Sequence, residues 1–374
     1  MDIVELKQLV GNFNVNEEIK DIFPYGSGHI NDTYKVVCEK DFHKVNYILQ
    51  RINHKIFTRP LQLQENVALV CKQQSKDNAA LRDGYRRNLT LINTKDDKVC
   101  HIDENGNYWR MYDFLSHAVG YDVVETEAQA FQAARAFGAF MNSMSRIPSK
   151  NFHETIPDFH NTPKRFAALE EAIKENKAGR LNSCREEVEF ALANKPLTEK
   201  LIRLHEEGQI PMRVTHNDTK MNNVLLDADT DEALCVIDLD TVMPGLVHYD
   251  FGDLVRTSTS PAGEDEKDLD KVFMRLNIFE ALLEGYLSKT RSVLNELEIE
   301  TLPLGGQLMT FEVGIRFLTD YLNGDVYFKT HYEEHNLVRC RTQFKLVKSM
   351  QEQETSMQDA LQAILKKIDS AANA

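Results

Sequence analysis

The pattern of apolar and polar positions divides the chain into a strand-rich first third and a helical remainder. Short β-prone segments flank polar turns, and Asn105-Gly106 is a hairpin-turn signal. One segment of this first third, residues 61–74, instead has apolar residues at helical spacing. The pattern therefore predicts strands, a helix and further strands. The predicted strands are 33–39, 46–52, 98–102 and 108–115.

Beyond residue 115 the apolar spacing is mostly helical, and residues 1–20 indicate a short amphipathic helix at the start of the chain. The predicted long helices are 127–144, 164–178, 185–207, 268–290, 305–323 and 344–368. The segment 212–243 differs, because it has two apolar runs joined by an acidic turn, as in a hairpin.

These elements predict an α+β fold with two lobes. Residues 1–115 would form a small β-rich N-terminal lobe, and residues 116–374 a larger, mostly helical C-terminal lobe. A chain of 374 residues is long enough for two such bodies. A cleft between two lobes is a common ligand site, so we expect the functional residues there.

Composition and charge narrow the range of expected binding partners. The net charge of −14 disfavours nucleic acid and anionic membranes as main partners. No apolar run is long enough to span a bilayer, and the charged N-terminus does not resemble a signal peptide. The six cysteines are scattered without a C-x-x-C pair, which is typical of reduced thiols. We expect a cytoplasmic protein; monomer and homodimer both remain open.

The most informative stretch is THNDTKMNNVLL, residues 215–226, in which His216, Asp218 and Asn223 have the spacing of the protein-kinase catalytic loop. Asp218 stands where a base would accept the proton of an acceptor hydroxyl. Asn223 would bind Mg²⁺, and Lys220 would stabilise the transferred phosphoryl group. His216 is expected to have a structural role.

A second metal ligand must come from a carboxylate, because Mg²⁺ prefers hard oxygen ligands. Asp238 ends the second apolar run of the hairpin, so we expect it beside Asn223, with Asp240 as a helper. Asp250 belongs to a literal Asp-Phe-Gly triplet, the letters that hold magnesium in protein kinases. Because Pro244 and Gly245 precede it and redirect the chain, we expect Asp250 instead to accept backbone N–H bonds from the catalytic loop.

The phosphate contacts of the first lobe are less clear. Gly26, Ser27 and Gly28 precede a predicted strand and would let backbone N–H groups approach phosphates; a plain hairpin turn is the alternative. The strand lysine that contacts phosphates in protein kinases has no evident counterpart. Gln50-Arg51 occupies that point, with Arg51 as the candidate cation and Glu65 as a candidate partner.

The stretches VTHNDTKMNNVLLD and VIDLDTVMPGLVHYDFGD resemble the aminoglycoside phosphotransferase and choline kinase superfamily. With PYGSGHINDTY, YILQRIN, GIRFLTDYLNGDVYF and HNLVRCRTQ, the chain more closely resembles bacterial N-acetylhexosamine 1-kinases. This resemblance implies a protein-kinase-like two-lobed fold. It also implies ATP- and Mg²⁺-dependent phosphorylation of the sugars GlcNAc or GalNAc at the anomeric hydroxyl.

The resemblance also implies individual roles. Asp218 would face the sugar hydroxyl, and Asn223 with Asp238 would hold magnesium. The backbone from Tyr112 to Phe114 would receive adenine. The residues expected around the sugar, besides Asp218, are His29, Arg316 and Tyr327. Arg316 and Tyr327 also suit a sugar chemically, because they offer directional donors and an aromatic edge.

Two alternatives remain open. One is a kinase of another small hydroxyl compound, such as another sugar, an aminoglycoside, choline or homoserine; Arg316 in the expected pocket argues against a cationic acceptor. The other is a nucleotide-binding pseudokinase, which should have lost a base or metal ligand, whereas Asp218, Asn223 and Asp238 are all present. The formylglycine route of sulfatases is unsupported, because no cysteine begins a C-x-P-x-R stretch.

Overall fold

A computed structural model describes residues 2–26, 28, 30–41, 43–81 and 88–372. The chain forms two compact units. The first consists of Met1–Val119, Arg146–Pro157 and Leu225–Pro244. The second consists of Gly120–Ser145, Asp158–Val224 and Gly245–Ala374.

The first unit is built on a five-stranded antiparallel sheet with strand order β1-β2-β3-β5-β4. The predicted strands and the Asn105-Gly106 turn are confirmed, except that strand 98–102 is shortened to His101–Ile102; Gly106 has the positive φ of 77° that this turn requires. The strands are β1 (Glu18–Pro24), β2 (Asp32–Lys40), β3 (His43–Ile52), β4 (His101–Ile102) and β5 (Tyr108–Asp113).

The N-terminal helix is shorter than predicted. Helix α1 (Ile3–Val10) begins at Asp2, whose side chain accepts the backbone N–H groups of Val4 and Glu5, and it is capped at Gly11. Residues 18–20, which we expected in this helix, instead open strand β1. The reason is their pairing with β2, in which Glu18 lies opposite Glu39 and Ile19 opposite Cys38.

The three segments of the first unit are joined by buried polar contacts. Asn66 on α2 (Pro60–Leu81) donates to the carbonyls of His153 at 2.8 Å and Val242 at 2.9 Å, and it accepts from the N–H of His153. The predicted hairpin is confirmed as β8 (Val224–Asp227) and β9 (Ala233–Val236), which form a three-stranded sheet with β6 (Ala118–Gly120). Asp238 and Asp240 follow β9 directly.

The second unit is mainly helical. Its longest helix, α10, is almost wholly buried, and Phe311 on it stacks with Phe166 and Phe344. The helices are α3 (Glu127–Met144), α4 (Thr162–Glu175), α5 (Arg185–Ala193), α6 (Lys200–Glu206), α7 (Val247–Thr259), α8 (Leu276–Thr290), α9 (Glu296–Glu300), α10 (Leu302–Asn323), α11 (His335–Glu352) and α12 (Glu354–Ala372). Short strands β7 (Arg213–Thr215) and β10 (Met243–Gly245) flank the functional loops.

Three helical predictions are corrected. The predicted helix 185–207 is interrupted by a 3-10 turn at Lys195–Glu199, because Pro196 cannot donate the N–H that a continuous α-helix needs. The predicted helix 344–368 is two helices separated at Gln353. Helix α8 begins later than predicted, after a 3-10 turn at Leu269–Lys271.

The molecule is therefore α+β, as predicted, with a small antiparallel sheet in one unit and helices in the other. Among the residues that the structure describes, no helix is both long and apolar enough to cross a membrane.

Candidate active site

The loop between β7 and β8 brings three predicted residues together. The amide of Asn223 donates to the backbone carbonyl of Asp218 at 2.8 Å and to its carboxylate at 3.0 Å. The Lys220 ammonium lies 3.1 Å from the same carboxylate oxygen. The Asp218 side chain is 31% exposed, so a small molecule can reach it.

Asp250 braces this loop, as predicted. Its buried carboxylate accepts the backbone N–H of His216 at 2.9 Å and of Asn217 at 2.7 Å. Burial raises the pKa of Asp250 to about 6, against the opposing effects of His216 and the two N–H donors. The backbone carbonyl of Asp250 also accepts from the Thr219 hydroxyl at 2.5 Å.

The Asp-Phe-Gly letters are explained by the start of helix α7, which the sequence analysis did not predict. Phe251 is fully buried against Phe279 and Tyr286. A Cβ on Gly252 would lie 2.2 Å from the carbonyl oxygen of Gly305, so only glycine permits this approach of α7 to α10. The triplet therefore serves loop bracing and helix packing.

A second carboxylate of α7, Asp253, also holds the loop, and the sequence analysis missed it. It accepts the backbone N–H of Thr219 at 3.0 Å and the Arg256 guanidinium at 2.9 Å. Burial alone would lower the pKa of Arg256, but the charges of Asp253 and Glu264 and the bond to Asp253 together shift it upward. The only available signal was the three-residue spacing from Asp250, since α7 was not predicted.

His216 has the structural position expected for it. Its ring is fully buried and lies edge-on to Phe137 and Phe140, with ring centroids 5.4 and 5.6 Å away. The ring therefore packs into the core beside the loop.

In the first unit, two carboxylates of the loop after β9 have different surroundings. Asp240 is buried, pairs with the equally buried Arg110, and accepts from the Asn31 amide at 2.6 Å. Asp238 is exposed and has a left-handed backbone (φ 59°, ψ 60°). Such a conformation costs energy in a non-glycine residue and is concentrated at functional sites. The charge of Asp240 is thus balanced by Arg110, and Asp238 is the carboxylate that this loop exposes to solvent.

Arg110 was not foreseen as a site residue. It lies on β5 opposite Gln50 of β3 and donates to the Gln50 side chain at 2.8 and 2.6 Å. Burial alone would lower the pKa of Arg110, but the charge and hydrogen bond of Asp240, together with the nearby Tyr112 and Asp238, raise it overall. A buried arginine therefore stands next to the strand position where protein kinases have lysine.

Arg51 and Glu65 have other partners. Arg51 donates its Nε to Asp32 at 2.7 Å, and about 40% of its side chain is exposed. Glu65 pairs with His153 at 2.7 Å. The structure thus does not bring Arg51 and Glu65 into an ion pair, and a phosphate-binding role for Arg51 stays a prediction.

The glycine-containing turn joins β1 to β2. Gly26 has a φ of 84°, and a Cβ at Gly26 or Gly28 would meet open space. Ser27 and His29, expected at phosphate and sugar, lie outside the described residues.

Next to this turn, Tyr25 meets Phe114 edge-on at 5.7 Å, and the Lys35 ammonium lies 3.8 Å from the centre of the Phe114 ring. This aromatic pair with its cation is a local feature that the sequence analysis missed.

The predicted adenine-binding segment already uses its backbone donors. The N–H of Asp113 donates to Thr90 and that of Phe114 to Asn46, both at 3.0 Å. Tyr112 is buried, and burial raises the pKa of its hydroxyl. Adenine at this segment would have to use carbonyl oxygens or the ring of Phe114.

Arg316 and Tyr327, the expected sugar residues, are brought together around Phe328. The Arg316 guanidinium lies 5.5 Å from the centre of the Phe328 ring, and Tyr327 meets the same ring edge-on at 4.7 Å. Asp320 fixes this segment by accepting the backbone N–H groups of Tyr327 and Phe328 at 2.8 and 2.9 Å. The Tyr327 residue is 72% exposed, and its role at a sugar stays a prediction.

Several solved kinase structures have the same fold. The chain superposes on an aminoglycoside phosphotransferase from Alicyclobacillus acidocaldarius with a TM-score of 0.58 and 12% identity, covering 97% of this chain and 96% of that one. A microcompartment-associated aminopropanol kinase gives 0.56 and 17%, covering 96% and 99%. A choline kinase from Cryptosporidium parvum gives 0.52 and 14%, covering 97% of each chain. The fold is therefore that of protein-kinase-like small-molecule phosphotransferases.

The profile of the phosphotransferase enzyme family matches residues 21–273, which is more than half of the chain. The chain belongs to this family. The match includes the first-unit sheet, the Asp218 loop and the bracing helix α7.

Proposed function

We propose that this protein is an ATP-dependent kinase that phosphorylates the anomeric hydroxyl of an N-acetylhexosamine, GlcNAc or GalNAc. The observation that carries the kinase assignment is the Asp218 loop, in which one reachable carboxylate lies beside Lys220 and Asn223. Asp250 and Asp253 hold the surrounding backbone through three N–H bonds. A base held in this way loses little entropy when the acceptor arrives.

In the proposed reaction, the oxygen of the acceptor hydroxyl forms a bond to the γ-phosphorus of ATP while the bond from that phosphorus to the ADP oxygen breaks. Asp218 accepts the proton that the hydroxyl loses. Lys220, 3.1 Å from Asp218, supplies positive charge to the transferred group.

The donor set fits magnesium. Asn223 uses its amide nitrogen on Asp218, which leaves its carbonyl oxygen for a hard cation. Asp238 is exposed, whereas Asp240 is paired with Arg110. We therefore assign Asn223 and Asp238 as the magnesium ligands; when bound, the ion would neutralise charge on the phosphates.

The sugar assignment rests on Arg316, Tyr327 and the sequence resemblance. A guanidinium donates to hydroxyl and acetyl oxygens, and an exposed tyrosine ring can cover an apolar sugar face. Other members of this fold act on amines, as the names aminopropanol kinase and choline kinase state. An amino-alcohol acceptor is therefore the second candidate. It ranks below the sugar because Arg316 would repel such cations.

ATP consumption against GlcNAc, GalNAc, glucose, galactose, choline and kanamycin tests the assignment, followed by phosphorus NMR of the product. We expect turnover of the N-acetylhexosamines and an anomeric phosphate doublet. Turnover of choline or kanamycin alone would refute the sugar assignment. If no compound reacts, a melting temperature that still rises with Mg-ATP would favour a pseudokinase.

A further inference from the structure

A buried acid–imidazole pair lies behind the Asp218 loop, and neither residue takes part in the proposed chemistry. Nδ1 of His160 is 2.8 Å from Oε1 of Glu312, and its Nε2 is 3.3 Å from the carbonyl oxygen of Asn217. The Thr162 hydroxyl donates to the other Glu312 oxygen at 2.6 Å. A carboxylate at 0% exposure is costly to bury without such partners.

The His160–Glu312 pair connects helix α10 with the Asp218 loop. Glu312 lies one helical turn before Arg316 on α10, so both side chains share a face of that helix. Asn217 immediately precedes Asp218 and has a left-handed backbone, with φ of 64°. The orientation of the peptide between Asn217 and Asp218 therefore depends on what its carbonyl contacts.

The bonding pattern defines the protonation of the link. A carbonyl oxygen and a carboxylate only accept hydrogen bonds, so both ring nitrogens of His160 must donate. Glu312, which accepts from both His160 and Thr162, is the ionised member of the link. Although burial alone would raise it, the pKa of the Glu312 carboxyl is lowered by the His160 charge and by the bonds from His160 and Thr162.

We propose that His160 and Glu312 are positioning residues that fix the acceptor-binding helix α10 and the catalytic base Asp218 relative to each other. The link passes from Glu312 through the His160 ring to the Asn217 carbonyl. The inference rests on the proposed roles of Asp218 and Arg316. A displacement of about 1 Å between a base and its acceptor can cost up to about 100-fold in rate, so such a link has catalytic consequences.

Glu312→Gln tests the link without changing the shape of the side chain. In Glu312→Gln the charge-assisted bond between His160 and residue 312 becomes a bond between neutral groups, which is roughly half as strong, so the link is loosened. The matched control is Glu187→Gln, the same change in another buried pair, where Arg341 donates to Glu187 at 2.7 Å. His160→Gln and the double variant His160→Gln/Glu312→Gln complete a cycle.

Two readouts separate this inference from the acceptor assignment. The first is hydrogen–deuterium exchange of the amides of residues 215–223, which needs no acceptor. We expect exchange about 10-fold faster in Glu312→Gln and no change in Glu187→Gln. Exchange at the wild-type rate would overturn the inference, whatever the enzyme phosphorylates.

The second readout is kcat with whichever acceptor the wild type uses. We expect a fall of about 10- to 100-fold in each single variant, an unchanged KM for ATP, and no further loss in the double variant. A fall no larger than that of Glu187→Gln, or losses that multiply in the double variant, would overturn the positioning role. Failure of the sugar assignment would appear separately, as the wild type's preference for another acceptor.

Discussion

Replacing Asp250 is the most direct test of what the Asp-Phe-Gly letters do in this protein. The carboxylate accepts two backbone N–H groups of the catalytic loop, from His216 and Asn217. Hydrogen bonds to a charged group contribute about 1.5–3 kcal/mol each. Asp250→Ala leaves both buried donors without a partner, so we expect a loss of roughly 3–6 kcal/mol in the free energy of unfolding.

Asp250→Asn is a graded version of the same change. The amide oxygen can accept one N–H, but the amide nitrogen would face the second N–H as another donor. We expect a loss of about 1.5–3 kcal/mol, half of that for alanine. Urea unfolding followed by fluorescence and by circular dichroism gives both values and shows whether the two units unfold together.

The pH dependence provides an independent check. The folded-state pKa of Asp250 is raised to about 6 from 3.8, so the folded protein binds this proton more tightly than the unfolded chain. The corresponding stability is fully present below pH 3.8 and is lost as the pH rises through 6. The stability gap between wild type and Asp250→Asn should therefore be wider at pH 4 than at pH 7.

One result would refute the bracing role. If Asp250→Ala kept wild-type stability but its melting temperature no longer rose with Mg-ATP, Asp250 would be a metal ligand after all. A stability gap that widened with rising pH would show instead that the two N–H bonds outweigh burial in setting the pKa of Asp250.

The remaining predictions concern the catalytic residues and two close contacts. Asp218→Asn should lower kcat by about 10²- to 10⁴-fold, and near-normal turnover would exclude it as the base. Asp238→Ala should abolish magnesium-dependent turnover, whereas stimulation by Mg²⁺ at the wild-type level would exclude it as a ligand. Arg110→Met leaves Asp240 buried without its cation and should cost about 3–5 kcal/mol in urea unfolding. Gly245→Ala places a Cβ 2.3 Å from the hydroxyl of Thr215 and should lower the melting temperature; an unchanged value would show that the backbone can shift there.

The sequence was most informative where function depends on short spacing. Asp218 and Asn223 are five residues apart, and a single loop suffices to bring them together. The bracing role of Asp250 was also predictable, because it lies past the point where Pro244 and Gly245 redirect the chain.

The long-range contacts were not predictable. Arg110 and Asp240 are 130 positions apart, and the His160–Glu312 bond spans 152 positions. The packing of whole helices and strands brings such partners together, and no local periodicity of the sequence indicates these contacts. Helix α7 was missed for a different reason: its segment was interpreted through its Asp-Phe-Gly letters, and the helical spacing of its apolar residues was not used.

Differences in burial and bonding explain why one aspartate can be assigned to chemistry among the several aspartates of neighbouring segments. Asp240, Asp250 and Asp253 are all buried, and each has a specific donor that fixes it: an arginine, two loop N–H groups, or one of each. A carboxylate held by buried donors cannot move to accept a proton or bind a cation without breaking those bonds, at about 1.5–3 kcal/mol each. Asp218 carries no such constraint, because its contacts are a half-exposed lysine and the amide of a neighbour that would itself bind the metal. Burial and bonding, more than the letters around each aspartate, therefore favour Asp218 as the proposed base.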